Sequence, residues 1–183
     1  MSPRFHLRVQ SGVRDLDLLP AGDDALGHAL FERAAGVLDR GTPRPVMLVL
    51  REQQVDQVDV VPLLQAEPAH RERMLSAVAA QDAVTCAALV GGLTLHRRRR
   101  GEVVATTRAI VVYLEWPDNR WWTAWQPVDA TRSLLGDGPM VRRAVDGEPR
   151  PGGIGGWFAR ARRERLKLRL HRPAGQEGLD LVH

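Results

Sequence analysis

The sequence predicts an α/β (α+β) domain: a single, mostly antiparallel, five-stranded sheet with two main helices, plus a basic C-terminal extension. Three observations predict it. Two stretches carry apolar residues at helical spacing, the signature of a helix with one buried face. The runs around them are rich in valine and either alternate or stay apolar, as strands do. Beyond Leu135 the texture changes to glycine, proline and arginine.

The elements follow in chain order. Phe5, Leu7 and Val9 alternate with polar neighbours and suggest a short opening strand. In "AGDDALGHALFERAAGVLDRG" the spacing predicts a helix, with Asp23 or Asp24 capping its free N–H groups and Gly41 ending it. Its predicted buried stripe is Leu26, Leu30, Ala34, Val37 and Leu38. Val46 to Leu50 and a second run ending at Pro62 read as a hairpin turning at "REQQ". "EPAHRERMLSAVAAQD" is the second helix, with Pro68 in its first turn, where the missing N–H costs nothing. "AVTCAALVGGLTLH" suits a central strand, "RRRRG" a turn, and "EVVATTRAIVVYLEW" and "RWWTAWQPV" the last two strands. "DATRSLLG" reads as a final helical turn capped by Asp129. Residues 1–135 are thus the expected compact domain. Residues 136–156, with seven glycines and three prolines, read as a linker, and 157–183 as a basic tail.

The element order, helix, strand, strand, helix, then three strands, resembles that of the roadblock family, whose fold is profilin-like. The resemblance covers roughly Asp23 to Val128 and is one of order, with no motif behind it. It implies a dimerising platform or scaffold without catalysis of its own.

Composition excludes several chemistries. The basic residues are arginine but for Lys167, which lies in neither a phosphate-loop nor a Schiff-base setting. That bias suggests a bacterial, GC-rich genome. The six histidines are not spaced for a shared metal, no serine lies in a nucleophile elbow, and Cys86 reads as a small core residue. Glu52, Asp56 and Asp59 are read as a solvated hairpin. No cofactor and no catalytic residue is expected. The longest apolar run, Ala109 to Leu114, is far below the ~20 residues of a membrane span, so a cytoplasmic protein is expected.

Two features could carry binding. Four of the five tryptophans crowd "EWPDNRWWTAW". Pairing Trp116 with Trp121 would set Leu114 against Thr123 and Val112 against Trp125. Ile110, Val112, Leu114, Trp116, Trp121 and Trp125 would then face the core, leaving Trp122, with Tyr113 and Glu115, on a mixed face beside Arg120. Trp122 and Arg120 are therefore candidate partner contacts.

The second feature is charge. Net charge is +4, yet Arg142 to Arg172 alone holds ten basic residues against three acids. In "GGWFARARRERLKLRLHRP", Trp157 and Phe158 could anchor the tail on a partner or neighbouring subunit. Leu166, Leu168 and Leu170 alternate with basic residues and could add as a strand to a sheet edge. Trp157 to Glu164 could instead be helical. The leading expectation is a non-enzymatic protein-interaction or scaffold module, binding a protein partner or its own copy through that tail. The alternative is a nucleic-acid-binding protein. Its phosphate contacts would be Arg97, Arg98, Arg99 and Arg100 with Arg162, Arg163, Arg165, Lys167 and Arg169. An enzyme of unfamiliar type is the third reading.

Overall fold

The computed structural model describes residues 9–11, 20, 22–52, 54–79, 81, 83–144 and 155–170. Seven strands form one antiparallel sheet, in the order β1-β3-β2-β4-β5-β6-β7. They are β1 (Val9–Ser11), β2 (Val46–Leu50), β3 (Val55–Asp59), β4 (Cys86–Arg99), β5 (Glu102–Glu115), β6 (Trp121–Pro127) and β7 (Met140–Arg143). The helices are α1 (Asp23–Ala35), α2 (Val61–Leu64), α3 (Pro68–Ala79) and α4 (Trp157–Leu170). The expected mixed architecture and antiparallel sheet are present, but among the described residues the sheet has seven strands, not five. The extra two are its edges. Phe5 and Leu7 lie outside the described residues; β1 begins at Val9. β7 rises from the stretch read as linker, because four residues suffice to pair with Trp122–Trp125.

The sheet is covered on both faces. Leu26, Leu30, Phe31 and Ala34 of α1 pack with Leu48, Ala88, Ile110, Val112, Leu114 and Trp122. On the other face Leu63, Leu75 and Val78, from α2 and α3, pack with Met47, Leu89 and Tyr113, joined by Trp157 and Phe158 of α4. Double cover explains why the central segments of β4 and β5 are nearly continuous apolar runs.

Several local expectations differ from the structure. The N-cap of α1 is Gly22, not an aspartate; Asp23 and Asp24 sit in the first turn, where their charge suits the helix dipole. The helix stops at Ala35, and a 3-10 turn over Leu38–Arg40 leaves Val37 exposed while burying Leu38. The second run of the first hairpin ends as a single helical turn, α2, started by the Asp59 carboxylate accepting the Val61 N–H at 3.0 Å. Asp56 is buried rather than solvated: its carboxylate accepts hydrogen bonds from Arg51 and Gln54. "DATRSLLG" is not helical. The Asp129 carboxylate accepts the N–H groups of Thr131 and Ser133, both at 2.8 Å, and closes a turn instead.

The tryptophan hairpin is shifted by one residue from the expected register. Glu115 pairs with Trp121, Leu114 with Trp122 and Val112 with Ala124. The cause is Asn119, whose φ of 75° places it in the left-handed region. Trp116 and Arg120 then close a three-residue loop, with the Asn119 N–H donated to the Trp116 carbonyl. A one-residue slip moves every side chain to the other face. Trp122 therefore faces α1, while Glu115, Trp121 and Tyr113 face α3 and α4.

Candidate functional site: the arginine arm and the carboxyl-terminal latch

β4 and β5 are the longest strands, and their far ends outrun the sheet. β2 pairs with β4 only as far as Val90, and β6 with β5 only as far as Ala109. From Thr94 to Thr107 the two strands pair, among the described residues, only with each other. Six or seven residues per strand project about 20 Å. An isolated two-stranded ribbon is marginal in water, and this one carries local supports. Arg100 and Gly101 have φ of 52° and 88°, the two left-handed positions of a tight hairpin turn. Arg98 donates to the Gly101 carbonyl at 2.8 Å, and His96 Nδ1 lies 3.1 Å from Thr106 Oγ1.

The "RRRRG" stretch is thus mostly strand: Arg97–Arg99 belong to β4, and the turn itself is Arg100–Gly101. Consecutive strand residues point to opposite faces. Arg98 therefore projects on one side of the arm, Arg97 and Arg99 on the other, with Arg100 at the tip. All four are exposed. Among the described residues, the guanidinium groups of Arg97, Arg99 and Arg100 have no hydrogen bond or ion pair. The single acid of the arm is Glu102, opposite Arg99. A bulge between Arg97 and Arg98 leaves exposed Val104 as the extra residue of β5.

The tail is arranged differently from the partner-seeking strip. Trp157 is 1% exposed and Phe158 6%. The Trp157 ring meets Tyr113 edge-on at 5.2 Å. Both rings are anchors, but they are used inside the chain. What holds them is Glu115, a fully buried carboxylate at the end of β5. It accepts the Gly156 N–H at 2.6 Å, the Phe158 N–H at 3.2 Å and the Tyr113 hydroxyl at 2.8 Å. Those amides lie at the start of α4, so the carboxylate acts as its cap and meets the positive end of its dipole. Arg160 adds an ion pair to Glu72 of α3. The whole of Trp157–Leu170 is one helix, so the alternation of Leu166, Leu168 and Leu170 with Arg165, Lys167 and Arg169 is not that of a strand. The side chains of those six residues lie outside the described set; Arg162 and Arg163 are exposed on α4.

Trp122 and Arg120 are likewise engaged within the chain. Trp122 is 1% exposed, lies against Gly27 of α1, meets His28 edge-on at 5.4 Å and donates its indole N–H to Asp24 at 2.8 Å. Arg120 is exposed but pairs with Asp118 at 2.6 Å and with Asp23, and lies over Trp116. The two groups of cations expected to act together sit at opposite ends of β5. From Glu102, at the arm's tip, to Glu115, at the latch, the strand spans about 40 Å. Cys86 is buried, and burial pushes its thiol pKa well above the ordinary value. Among the described residues, no three His, Cys, Asp or Glu side chains group so as to hold a metal ion, and no helix is long and apolar enough to cross a membrane.

No protein-family model, curated protein or solved structure matches the chain.

Proposed function

We propose that the protein is a binding module that contacts nucleic acid through the β4–β5 arm, without chemistry of its own. One observation carries the reading: a projecting ribbon with arginines on both faces and at its tip, three of them without a partner among the described residues. Cations on both faces do not suit a flat anionic surface, which would meet only one of them. They suit a groove, whose walls present phosphates on either side. The duplex major groove, about 12 Å wide, admits a two-stranded ribbon, and the guanidinium fork matches phosphate oxygens. The arm thereby takes over the role first given to the tail, whose aromatic anchors are occupied within the chain. The roadblock-like element order fits the same kind of module, a platform rather than an enzyme.

The test is fluorescence anisotropy of a labelled 20-base-pair duplex with the full chain over a range of salt. Each phosphate neutralised contributes about 0.9 to the log–log salt slope. Replacing Arg97, Arg99 and Arg100 with glutamine is expected to lower that slope by up to about 3. No binding at low salt, or a triple variant that binds as the parent does, refutes the proposal.

A further inference from the structure

A cleft of about 350 Å³ opens at the root of the arm, where β4, β5, the loop after α1 and the turn after β6 meet. Its volume falls within the range of small-molecule sites. Its floor is shaped by a close approach. A Cβ on Gly92 would lie 2.3 Å from Thr42 Cγ2, so only glycine lets the loop after α1 cross β4 there. The Gly92 N–H, donated to the Pro43 carbonyl at 2.8 Å, ties that loop down.

Two arginines from separate segments line this cleft, Arg108 of β5 and Arg132 of the turn after β6. The Val128 N–H, donated to the Arg108 carbonyl at 2.9 Å, fastens the two segments together. Among the described residues neither guanidinium has a hydrogen bond or ion pair. The acid that also lines the cleft, Asp129, forms no ion pair with either arginine; its Oδ1 accepts from Thr131 and Ser133. Those hydrogen bonds hold its pKa below the ordinary carboxylate value, that from Ser133 foremost. Arg132 itself is held at φ 68°, a conformation a side-chain-bearing residue seldom adopts. Strain of this kind collects at ligand clamps. Beside the charges stand Thr42 and the apolar Val128, on the α1 side of the sheet.

We infer that this cleft is a binding site for a small organic anion, its phosphate or carboxylate head held between Arg108 and Arg132 and its apolar body against Val128. The site is separate from the arm's tip and stands whether or not the arm binds nucleic acid.

Calorimetric titration of the full chain with phenyl phosphate and with benzoate tests it and tells the two head groups apart. At least one probe is expected to bind saturably, more tightly than inorganic phosphate or acetate, which lack the apolar body. Arg132→Gly suits the position's backbone angle and so leaves the fold intact. That variant and Arg108→Gln are each expected to weaken binding about tenfold. The glutamine variant of Arg97, Arg99 and Arg100 is expected to bind the probe as the parent does, which separates this site from the arm. No saturable binding of either probe overturns the inference. So does undiminished binding by both cleft variants, or inorganic phosphate binding as tightly as phenyl phosphate.

Discussion

Replacing Glu115 with alanine is expected to unlatch the C-terminal helix. The wild-type carboxylate takes three hydrogen bonds in a site closed to water: from the amides of Gly156 and Phe158 and from the Tyr113 hydroxyl. Alanine leaves two amides without an acceptor. The Tyr113 hydroxyl loses its Glu115 acceptor as well. Each orphaned donor costs about 1–3 kcal/mol, and the start of α4 loses a charge at its positive end, worth about 0.3–1 kcal/mol. The expected loss is about 3–5 kcal/mol. Glutamine keeps one acceptor oxygen and turns an amide group toward a donor, so Glu115→Gln is expected to cost about 1–2 kcal/mol. For a chain of this size each kcal/mol lowers Tm by about 2–4 °C. The alanine variant should therefore melt about 10 °C lower, with glutamine between it and the wild type. If α4 opens before the body melts, limited proteolysis will cut after residue 144 under native conditions, and Trp157 emission will shift to the red. An alanine variant that melts within about 2 °C of wild type and keeps its tail protected would refute this account of the latch.

Gly27→Ala in α1 would ordinarily stabilise a helix by about 1 kcal/mol. Here the new Cβ would lie 2.5 Å from the Trp122 ring, so overpacking should make the change destabilising by about 1–3 kcal/mol in a chemical denaturation curve; a stabilised variant would show that Trp122 does not pack there. Cys86 should resist thiol reagents in the native protein and react on unfolding, since burial disfavours its thiolate. Its raised pKa also means that the folded state keeps a proton the unfolded chain loses above the ordinary thiol value of 9.0. The stability it contributes is whole below that pH and falls above it, a decline that Cys86→Ala should lack.

Much of the fold was legible because it depends on local pattern. The two main helices and the chain order of the central strands follow from period and turn chemistry alone. The hairpin register did not follow, although a signal was present. "PDN" places asparagine third in the loop, where its tolerance of a left-handed φ closes the turn at three residues. Reading the loop as one residue longer, closed by Trp116 and Trp121, exchanged the two faces and put Trp122 on the wrong side. Other features had no local signal. Glu115 meets amides 41 and 43 residues later in the chain, and nothing near it announces a cap. The leucine–arginine alternation was ambiguous in the ordinary way of short amphipathic runs, and a capped start at Gly156–Phe158 decided it for helix. β7 is four exposed residues in a stretch rich in glycine and proline, and only the exposed edge of β6 makes it a strand.

The arm's arginines have a competing explanation. A ribbon that outruns its sheet offers two unpaired edges and exposes Val103 and Val104, a liability for edge-to-edge association. Charged side chains guard such edges, and Arg97–Arg100 would do so whatever else they bind. The two roles differ in what they require of the charge. Guarding needs repulsion between copies, which either sign provides. Contact with phosphate needs the positive sign. Reversing Arg97, Arg99 and Arg100 to glutamate keeps a strongly charged tip and places each carboxylate on the same ribbon. If the arm only guards itself, the reversed protein keeps the association state of the parent and differs in nothing else. If it contacts nucleic acid, the reversed protein also keeps the parent's association state but loses duplex binding at every salt concentration, more completely than the glutamine variant does. Sedimentation velocity and anisotropy on the same samples separate the two. Retained binding by the reversed arm would leave only the guarding role.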